Sequence, residues 1–503
     1  MSGPLRFVVD DVLHEVAGEA PTRTLLQWLR TNGKVGTKEG CAEGDCGACT
    51  VLLEDTVVSG SNTRLRAVNS CILLLPMIDG RRVWTVEGVG TPAAPHPAQR
   101  AMVDTLGSQC GYCTPGFVMS LVEAHHRTDL DADWKLDDQI CGNLCRCTGY
   151  RPIQDAARSI AGGATTAAPV GNTPAPARVG GLDYATANAR FFAPRTLAGV
   201  VEALQARPDA RIVAGATDLG LQVTQHDAVF PALVSVEHVT EMRGIRAFEP
   251  RGWRVGAATD LVSIEDWSAE ALPVWHRMLR YFGSRQIKHR ATLGGNLVNA
   301  SPIGDNAPVL LALDAVAVIA GPADTLSGER LTDPGGARML TTRRVPLSSF
   351  FTGYRATALA PGEVLVALEI PAPAASSRFG AYKVSRRKEM DISAVSACFR
   401  LDMDGDTITG ARVAFGGMAA TPLRVRVAED ALRGKVWTDA VAAEVAALLG
   451  EVLAPLSDHR GTARFRKILA RNLFLGFREE TRDAPFRALP TAHCGTVVLG
   501  GAS

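Results

Sequence analysis

Long apolar runs are missing from this sequence. A stretch such as Cys71-Ile-Leu-Leu-Leu-Pro-Met-Ile78 is interrupted by Pro76 and falls well short of the ~18 residues that a membrane-spanning helix needs. A charge of one sign is missing as well: 53 Lys and Arg stand against 52 Asp and Glu, so no global field favours nucleic acid or an anionic bilayer. The opening Met1-Ser-Gly-Pro-Leu-Arg-Phe-Val-Val-Asp10 does not read as a secretory leader, which makes a reducing, cytoplasmic setting the expectation. At 503 residues, 46% hydrophobic and 21% charged, the composition fits a soluble chain of three or four domains.

What the chain does have is cysteine, and in one place. Of eleven cysteines, nine fall between Cys41 and Cys147, eight of them as Cys41-x4-Cys46-x2-Cys49, Cys71, Cys110-x2-Cys113 and Cys145-x-Cys147. Two sets of four is the number that two tetrathiolate sites require. The first set has the spacing of plant-type 2Fe-2S ferredoxins, with three ligands on one tight loop and a fourth from further along. Glycines at 33, 36, 40, 44 and 47 let that loop fold over a cluster and turn amide hydrogens toward sulfur. Zinc competes for the same thiols, although Cys-x-Cys suits cluster iron better than the knuckles of structural zinc. Disulfides compete less well in a reducing compartment.

The motifs Gln109-Cys-Gly-Tyr-Cys-Thr-Pro-Gly116 and Cys141-Gly-Asn-Leu-Cys-Arg-Cys-Thr-Gly-Tyr-Arg-Pro-Ile153 closely resemble those of the molybdenum hydroxylases, the family of xanthine dehydrogenase and aldehyde oxidase. The resemblance implies a second 2Fe-2S cluster at the end of a small helical bundle, held by Cys110, Cys113, Cys145 and Cys147. Cys141 lies outside the family's ligand positions and reads as a neighbour.

Taken in order, Leu5 to Asp10 and Val12 to Val16 read as a hairpin, Thr24 to Arg30 as a helix, and Thr50 to Leu53 as a strand. This pattern and the resemblance give a plant-type ferredoxin β-grasp over 1–85. Helical periodicity over 98–106, 115–126, 134–140 and 153–161 predicts a four-helix 2Fe-2S domain over 86–161. His125 and His126 read as a solvated helix end. Ala, Gly, Thr and Pro dominate the expected linker, 162–187. An α+β FAD-binding domain (188–345), an α+β C-terminal subdomain (346–482) and an irregular tail (483–503) complete an α+β multidomain chain. Cys398 alternates with apolar residues and reads as buried, while Cys494 has no evident role.

Arg211-Ile-Val-Ala-Gly-Ala-Thr-Asp-Leu-Gly220 is an apolar strand running into small residues, a turn that offers amides to a pyrophosphate without being a Walker A or Rossmann loop. Alone it reads more readily as a structural turn. Ala291-Thr-Leu-Gly-Gly-Asn-Leu-Val-Asn-Ala-Ser-Pro-Ile-Gly-Asp305 adds accessible backbone and polar side chains. The two resemble the flavin-binding stretches of the xanthine dehydrogenase and carbon monoxide dehydrogenase flavoproteins. The resemblance implies that Ile212, Val213, Ala214, Gly215, Ala216, Thr217, Asp218 and Leu219 wrap the FAD diphosphate. It adds Thr292, Gly295, Asn296, Asn299 and Asp305 as polar contacts, with Ile287, Val364 and Leu365 nearby and Phe282 against the isoalloxazine. Lys383 matches a flavin-contacting lysine. Arg386 and Arg387, in the loop that runs to Asp391, would shape nicotinamide access together with Phe282 and Tyr354. Without the resemblance, Tyr382-Lys-Val-Ser-Arg-Arg-Lys-Glu-Met-Asp-Ile-Ser393 is an ordinary solvated basic turn.

Two clusters and a flavin on one chain make a relay, since a flavin accepts electrons singly and releases them as hydride. No segment after the flavin region would house molybdopterin. The resemblance therefore implies the small chain of a split enzyme of the xanthine dehydrogenase type, within a heterotetramer or larger hetero-oligomer. A separate large molybdenum subunit would oxidise hypoxanthine or xanthine toward urate. Electrons would pass from the Cys110 set to the Cys41 set, to FAD and to NAD+, with no general acid or base from this chain. Three alternatives stand beside it: another molybdenum hydroxylase acting on an aldehyde, carbon monoxide or a heteroaromatic ring, a stand-alone NADH-dependent reductase, and a zinc-stabilised interaction protein.

Overall fold

The first sheet is organised by a two-residue alternation. Leu5, Phe7, Val9, Val51 and Leu53 face one way and pack with Leu25, Trp28 and Leu29, while Leu52, Leu65, Ala67 and Trp84 face the other, as the pleat requires. The computed structural model describes residues 3–56, 63–161, 173–176, 178, 180–322, 329–332, 339–482 and 496–498. Strands Leu5–Val9 and Val12–Val16 form the expected antiparallel hairpin, turning at Asp10 and Asp11, both with positive φ. The sheet order is Val12–Val16, Leu5–Val9, Arg82–Trp84, Thr50–Thr56, Thr63–Asn69, so Thr63–Asn69 is an edge. Helix Leu25–Thr31 starts in a capping box made by Thr24 and Gln27, which satisfies two amides that the first turn leaves free.

Four helices follow: Pro97–Asp104, Thr114–His125, Asp133–Ile140 and Arg151–Ile160. Phe117, Leu121, Ile140, Ile153 and Ala157 share one core with Leu52, Ala67 and Trp84, so the bundle covers the second face of the sheet. His125 is buried, and its ring lies 5.4 Å from His96 and 5.5 Å from His126. The solvated helix end expected there is instead a packed imidazole cluster, because the loop before Pro97–Asp104 brings His96 over it.

The chain divides into two units: Met1–Thr240 with Gly283–Ala291, and Glu241–Phe282 with Thr292–Ser503. In the first, strands Leu182–Ala185, Arg190–Ala193, Ala232–Ser235 and Arg211–Val213 form a second sheet in that order. Its Tyr184, Phe191 and Leu233 share a core with Leu5 and Trp28. Part of the expected linker, 162–172, lies outside the described residues. The rest is not free chain: the Thr173 amide donates to Asp11 at 2.7 Å, Arg178 pairs with Asp79, and Leu182–Ala185 is a strand.

In the second unit a six-stranded sheet runs Ile245–Ala247, Gly252–Gly256, Val364–Pro371, Val316–Pro322, Met339–Pro346, Glu329–Thr332. A second sheet centres on Arg378–Ser385, Val395–Asp404 and Thr407–Gly416. Its Phe399 and Phe415 share a core with Leu449 of helix Asp439–Val452 and Phe474 of helix Ala463–Glu480. Cys398 is fully buried in it. Within the tail expected to be irregular, Thr496–Val498 pairs in parallel with Arg378–Ser385, while Cys494 lies outside the described residues. No helix among the described residues is long and apolar enough to cross a membrane.

Candidate functional site

The first thiolate set occupies the loop between helix Leu25–Thr31 and strand Thr50–Thr56, plus the turn after Thr63–Asn69. Both turns are fixed by hydrogen bonds, for the Ser70 hydroxyl donates to the Cys49 carbonyl at 2.7 Å. Amides of Glu43 and Cys46 point at Cys41 Sγ at 3.4 and 3.3 Å, and the Cys41 amide at Cys46 Sγ at 3.3 Å. A Cβ on Gly40 would stand 2.7 Å from Cys46 Sγ, so the loop tolerates no side chain there. The thiols approach in pairs. The Cys46 thiol, helped by backbone amides, pulls Cys41 down to about 5 and is itself pushed up. In the same way, Cys71 lowers Cys49 and is itself raised. In each pair one thiol donates toward the other, and metal binding would displace their protons.

The second set repeats this at the bundle's end. Cys113 caps helix Thr114–His125, and the Tyr150 hydroxyl accepts from the Cys145 amide at 3.0 Å. Cys110 is lowered by the Tyr112 amide and the Cys147 thiol, and Cys147 is raised by Cys110. Burial and the Cys145 thiol push Cys113 up to about 12. For Cys145 burial acts upward, but the Thr148 hydroxyl and backbone amides outweigh it, and the thiol is lowered. Cys41 with Cys46, Cys49 with Cys71, Cys110 with Cys147 and Cys113 with Cys145 are therefore four thiol pairs, and a 2Fe-2S group takes four thiolates. The chemistry of the residues fits such groups: soft sulfur donors that approach in pairs, with amides aimed at sulfur. Cys49 and Cys71 are buried, whereas Cys110 and Cys147 are exposed. Cys141 turns its thiol to the Asp138 carbonyl at 3.3 Å.

The two loops touch. The Leu144 amide donates to the Cys46 carbonyl at 2.9 Å, and Asn143 Nδ2 to the Gly47 carbonyl at 3.1 Å. Asn143 Oδ1 in turn accepts from Ser120 at 2.6 Å and from Gln286 at 3.0 Å. The sequence reading missed these residues; an amide side chain two positions before the ligand Cys145 was the available signal.

Of the expected flavin residues, Ile212 to Leu219 and Ile287 belong to the first unit. Strand Arg211–Val213 ends in a turn where Ala216 has φ 65° and a Cβ on Gly215 would lie 1.6 Å from the Arg290 carbonyl oxygen. Only glycine fits there. Helix Leu219–His226 follows and reaches the first thiolate loop: Thr224 donates to the Ala42 carbonyl at 2.6 Å and Gln225 to that of Cys41 at 3.2 Å. Ile287 packs with Leu26, Cys49, Cys71 and Ile72, which puts it beside the first thiolate set.

The other expected residues lie in the second unit. Thr292 caps helix Leu293–Val298 by accepting from the Gly295 amide at 3.1 Å. A Cβ on Gly295 would stand 3.0 Å from the Thr292 hydroxyl. Asn296 accepts from Asn306, and Asn306 from Trp275; Asn299 ends the helix. Val364 and Leu365 are buried where Val364–Pro371 pairs across a bulge with Val316–Pro322. Lys383 is buried and bonds the Tyr281 carbonyl at 2.7 Å and Asp305 at 2.9 Å. Phe282 is half-buried and Tyr354 exposed. Asp391 accepts from the amides of Arg386 and Arg387 at 2.9 and 2.8 Å, so the basic loop is an ordered turn with Arg387 and Lys388 exposed.

Comparison with known proteins gives matches along most of the chain. Residues 7–75 match the 2Fe-2S iron-sulfur cluster binding domain and 85–158 the 2Fe-2S binding domain. Residues 186–329 match the FAD binding domain in molybdopterin dehydrogenase, and 380–481 the CO dehydrogenase flavoprotein C-terminal domain. The xanthine dehydrogenase of Emericella nidulans is 31% identical over 94% of this chain and 38% of its own length. The xanthine dehydrogenase/oxidase of Mus musculus is 30% identical over 94% and 39%. This chain thus spans about two fifths of those relatives. Among solved structures, quinoline 2-oxidoreductase from Pseudomonas putida 86 is 30% identical with a TM-score of 0.50, covering 57% of this chain and 94% of that one. A crystal structure of Cu,Mo-CO dehydrogenase gives 27% and 0.51 over the same shares. With two 2Fe-2S domains, an FAD-binding domain and relatives of this kind, the chain belongs to the molybdenum hydroxylase family as an iron-sulfur and FAD-binding chain.

Proposed function

We propose that this chain is the electron-transfer subunit of a xanthine dehydrogenase. It would take electrons from a molybdenum cofactor on a large partner subunit and deliver them to NAD+ as hypoxanthine or xanthine is oxidised to urate. One observation carries this reading: hydrogen bonds join the second thiolate loop to the first, at Leu144 and Cys46, and the first to the helix after Ile212–Leu219, at Thr224 and Ala42. Bound clusters and FAD supply one-electron transfer and its conversion to hydride delivery. The eight cysteines would hold the clusters. Cys110 and Cys147, both exposed, would face the partner, with exposed Tyr112 and Leu144 adding apolar surface beside them. Buried Cys49 and Cys71 mark the side toward the flavin.

Ile212 to Leu219 would hold the FAD diphosphate, with Thr292, Gly295, Asn296, Asn299 and Asp305 as polar contacts and Phe282, Val364 and Leu365 around the ring. Lys383 acts by fixing Asp305. Arg386, Arg387 and Tyr354 border the nicotinamide side, where exposed guanidinium groups favour dinucleotide phosphates. The identity to xanthine dehydrogenases along 94% of the chain supports the purine assignment. The similarity to quinoline 2-oxidoreductase favours a heteroaromatic hydroxylase as the second reading. Native purification with identification of co-purifying chains and metals tests both. The expected assembly carries molybdenum on a companion chain and reduces NAD+ with xanthine, while the isolated subunit oxidises NADH with an artificial acceptor only. An assembly that turns over quinoline and leaves xanthine untouched selects the second reading, and xanthine turnover by the single chain sinks the split assignment.

A further inference from the structure

Strand Thr63–Asn69 is the edge of the first sheet, and an edge leaves outward amides and carbonyls that must be covered. At Ala67 both are covered by side chains. Its amide donates to Glu123 Oε2 at 3.2 Å, and His289 Nδ1 donates to its carbonyl at 2.8 Å. Glu123, itself only 2% exposed, sits on helix Thr114–His125, which starts at Cys113. Its other hydrogen bonds come from Gln139 at 3.1 Å and Arg285 at 2.8 Å, and the His289 ring lies beside it, Nε2 3.3 Å away. Arg285 and His289 lie in Gly283–Ala291, the short segment that joins the first unit from far along the chain. The same segment sends Lys288 to Asp138 at 2.8 Å and Gln286 to Asn143 at 3.0 Å.

One carboxylate therefore fastens three pieces of chain: the strand that leads into Cys71, the helix that begins at Cys113, and the inserted segment. The elements it joins carry one cysteine from each thiolate set. We propose that Glu123, held by Arg285, is a positioning residue that fixes the separation of the two thiolate sets, with Gly283–Ala291 as the clamp. This rests on the reading that both sets hold 2Fe-2S groups. Neutralising the buried carboxylate takes from Arg285 the charge it bonds at 2.8 Å, a destabilising change that the segment relieves by moving away.

The test uses the full chain with its native partner. Glu123→Gln and Arg285→Met are compared with Glu363→Gln, which breaks a buried pair with Arg343 in the second unit. The readout is the magnetic interaction between the two reduced centres by low-temperature EPR, alongside iron content and melting temperature. The expected result is a shifted or lost splitting in Glu123→Gln and Arg285→Met, with native iron content, and an unchanged splitting in Glu363→Gln. Native splitting in both variants at full iron loading overturns the proposal, even where melting falls. If Glu123→Gln does not fold, Glu123→Asp and Arg285→Met decide by the same reading. A native protein without two distinct iron-sulfur signals overturns the cluster reading and this inference together.

Discussion

The Leu144 amide donates to the carbonyl of Cys46 at 2.9 Å, so the residue before one ligand cysteine is bonded to another ligand cysteine of the opposite set. Such contact needs backbones that meet without side chains between them. Gly47 provides it at φ 69°, where an added Cβ would lie 2.1 Å from the Gly142 carbonyl oxygen. Gly47→Ala must therefore push the loops apart, at about 1–3 kcal/mol. Gly111 has a similar φ of 82° but open space around it, so Gly111→Ala carries backbone strain alone. The expected outcome is a larger fall in melting temperature and in iron per chain for Gly47→Ala than for Gly111→Ala. Equal losses would show that the contact between loops contributes nothing.

The pairing of the thiols leads to a count. Cys49→Ser and Cys145→Ser each remove a ligand from one set and are expected to lower iron from about four to about two atoms per chain. Visible circular dichroism would lose a different band in each variant. Cys141, whose thiol bonds the Asp138 carbonyl, should be replaceable by Ser with full iron content. A loss of iron in Cys141→Ser would mean that the ligand sets are wrongly drawn.

Local chemistry made much of this legible. The Asp10-Asp11 turn, the Thr24 capping box and the helices ending near glycine or proline follow from neighbours in sequence, and the thiolate sets follow from spacing. What stayed hidden is long-range. Glu123 and Arg285 are 162 positions apart, so nothing near either one signals a partner, and a segment that looks like part of the flavin domain turns out to clamp the cluster domains. The small, polar composition of the expected linker said nothing of Thr173 meeting Asp11. His125 and His126 read as solvated because the sequence does not reveal that His96 covers them. The flavin stretches carried too little local signal to identify by themselves, and it was the resemblance that singled them out.

Lys383 and Asp305 form a buried pair at 2.9 Å, with the Ser393 hydroxyl on the second carboxylate oxygen at 2.5 Å. Removing one charge strands the other. Lys383→Met is expected to cost about 3–5 kcal/mol, and adding Asp305→Leu should recover part of it. Thermal melting checks the stability, and flavin absorbance checks occupancy. If Lys383 acts through Asp305, both single variants lose FAD together. An Asp305→Asn protein with native FAD content would contradict that.

Acid should loosen the first unit before neutral pH effects appear elsewhere. Burial pulls His289 down to about 3, against an upward pull from Glu123, so the folded ring is neutral where an unfolded one is charged. Its contribution is complete above about 6.5 and is lost as pH falls from there toward 3, because the unfolded chain binds the extra proton. Glu123 resists burial through His289, Arg285 and Arg127 and is held down to about 2. Its contribution is complete above about 4.5 and is lost below that. Melting temperature is therefore expected to fall between pH 6.5 and 5 through His289 together with His96, which burial pulls down to about 4, and His126 and His14, which burial also lowers, with Glu123 adding to the slope only in stronger acid. His289→Asn removes one titrating ring and keeps a donor for the Ala67 carbonyl, so its melting curve should be flatter between pH 6.5 and 5. A variant slope as steep as the native one would assign the acid sensitivity to another group.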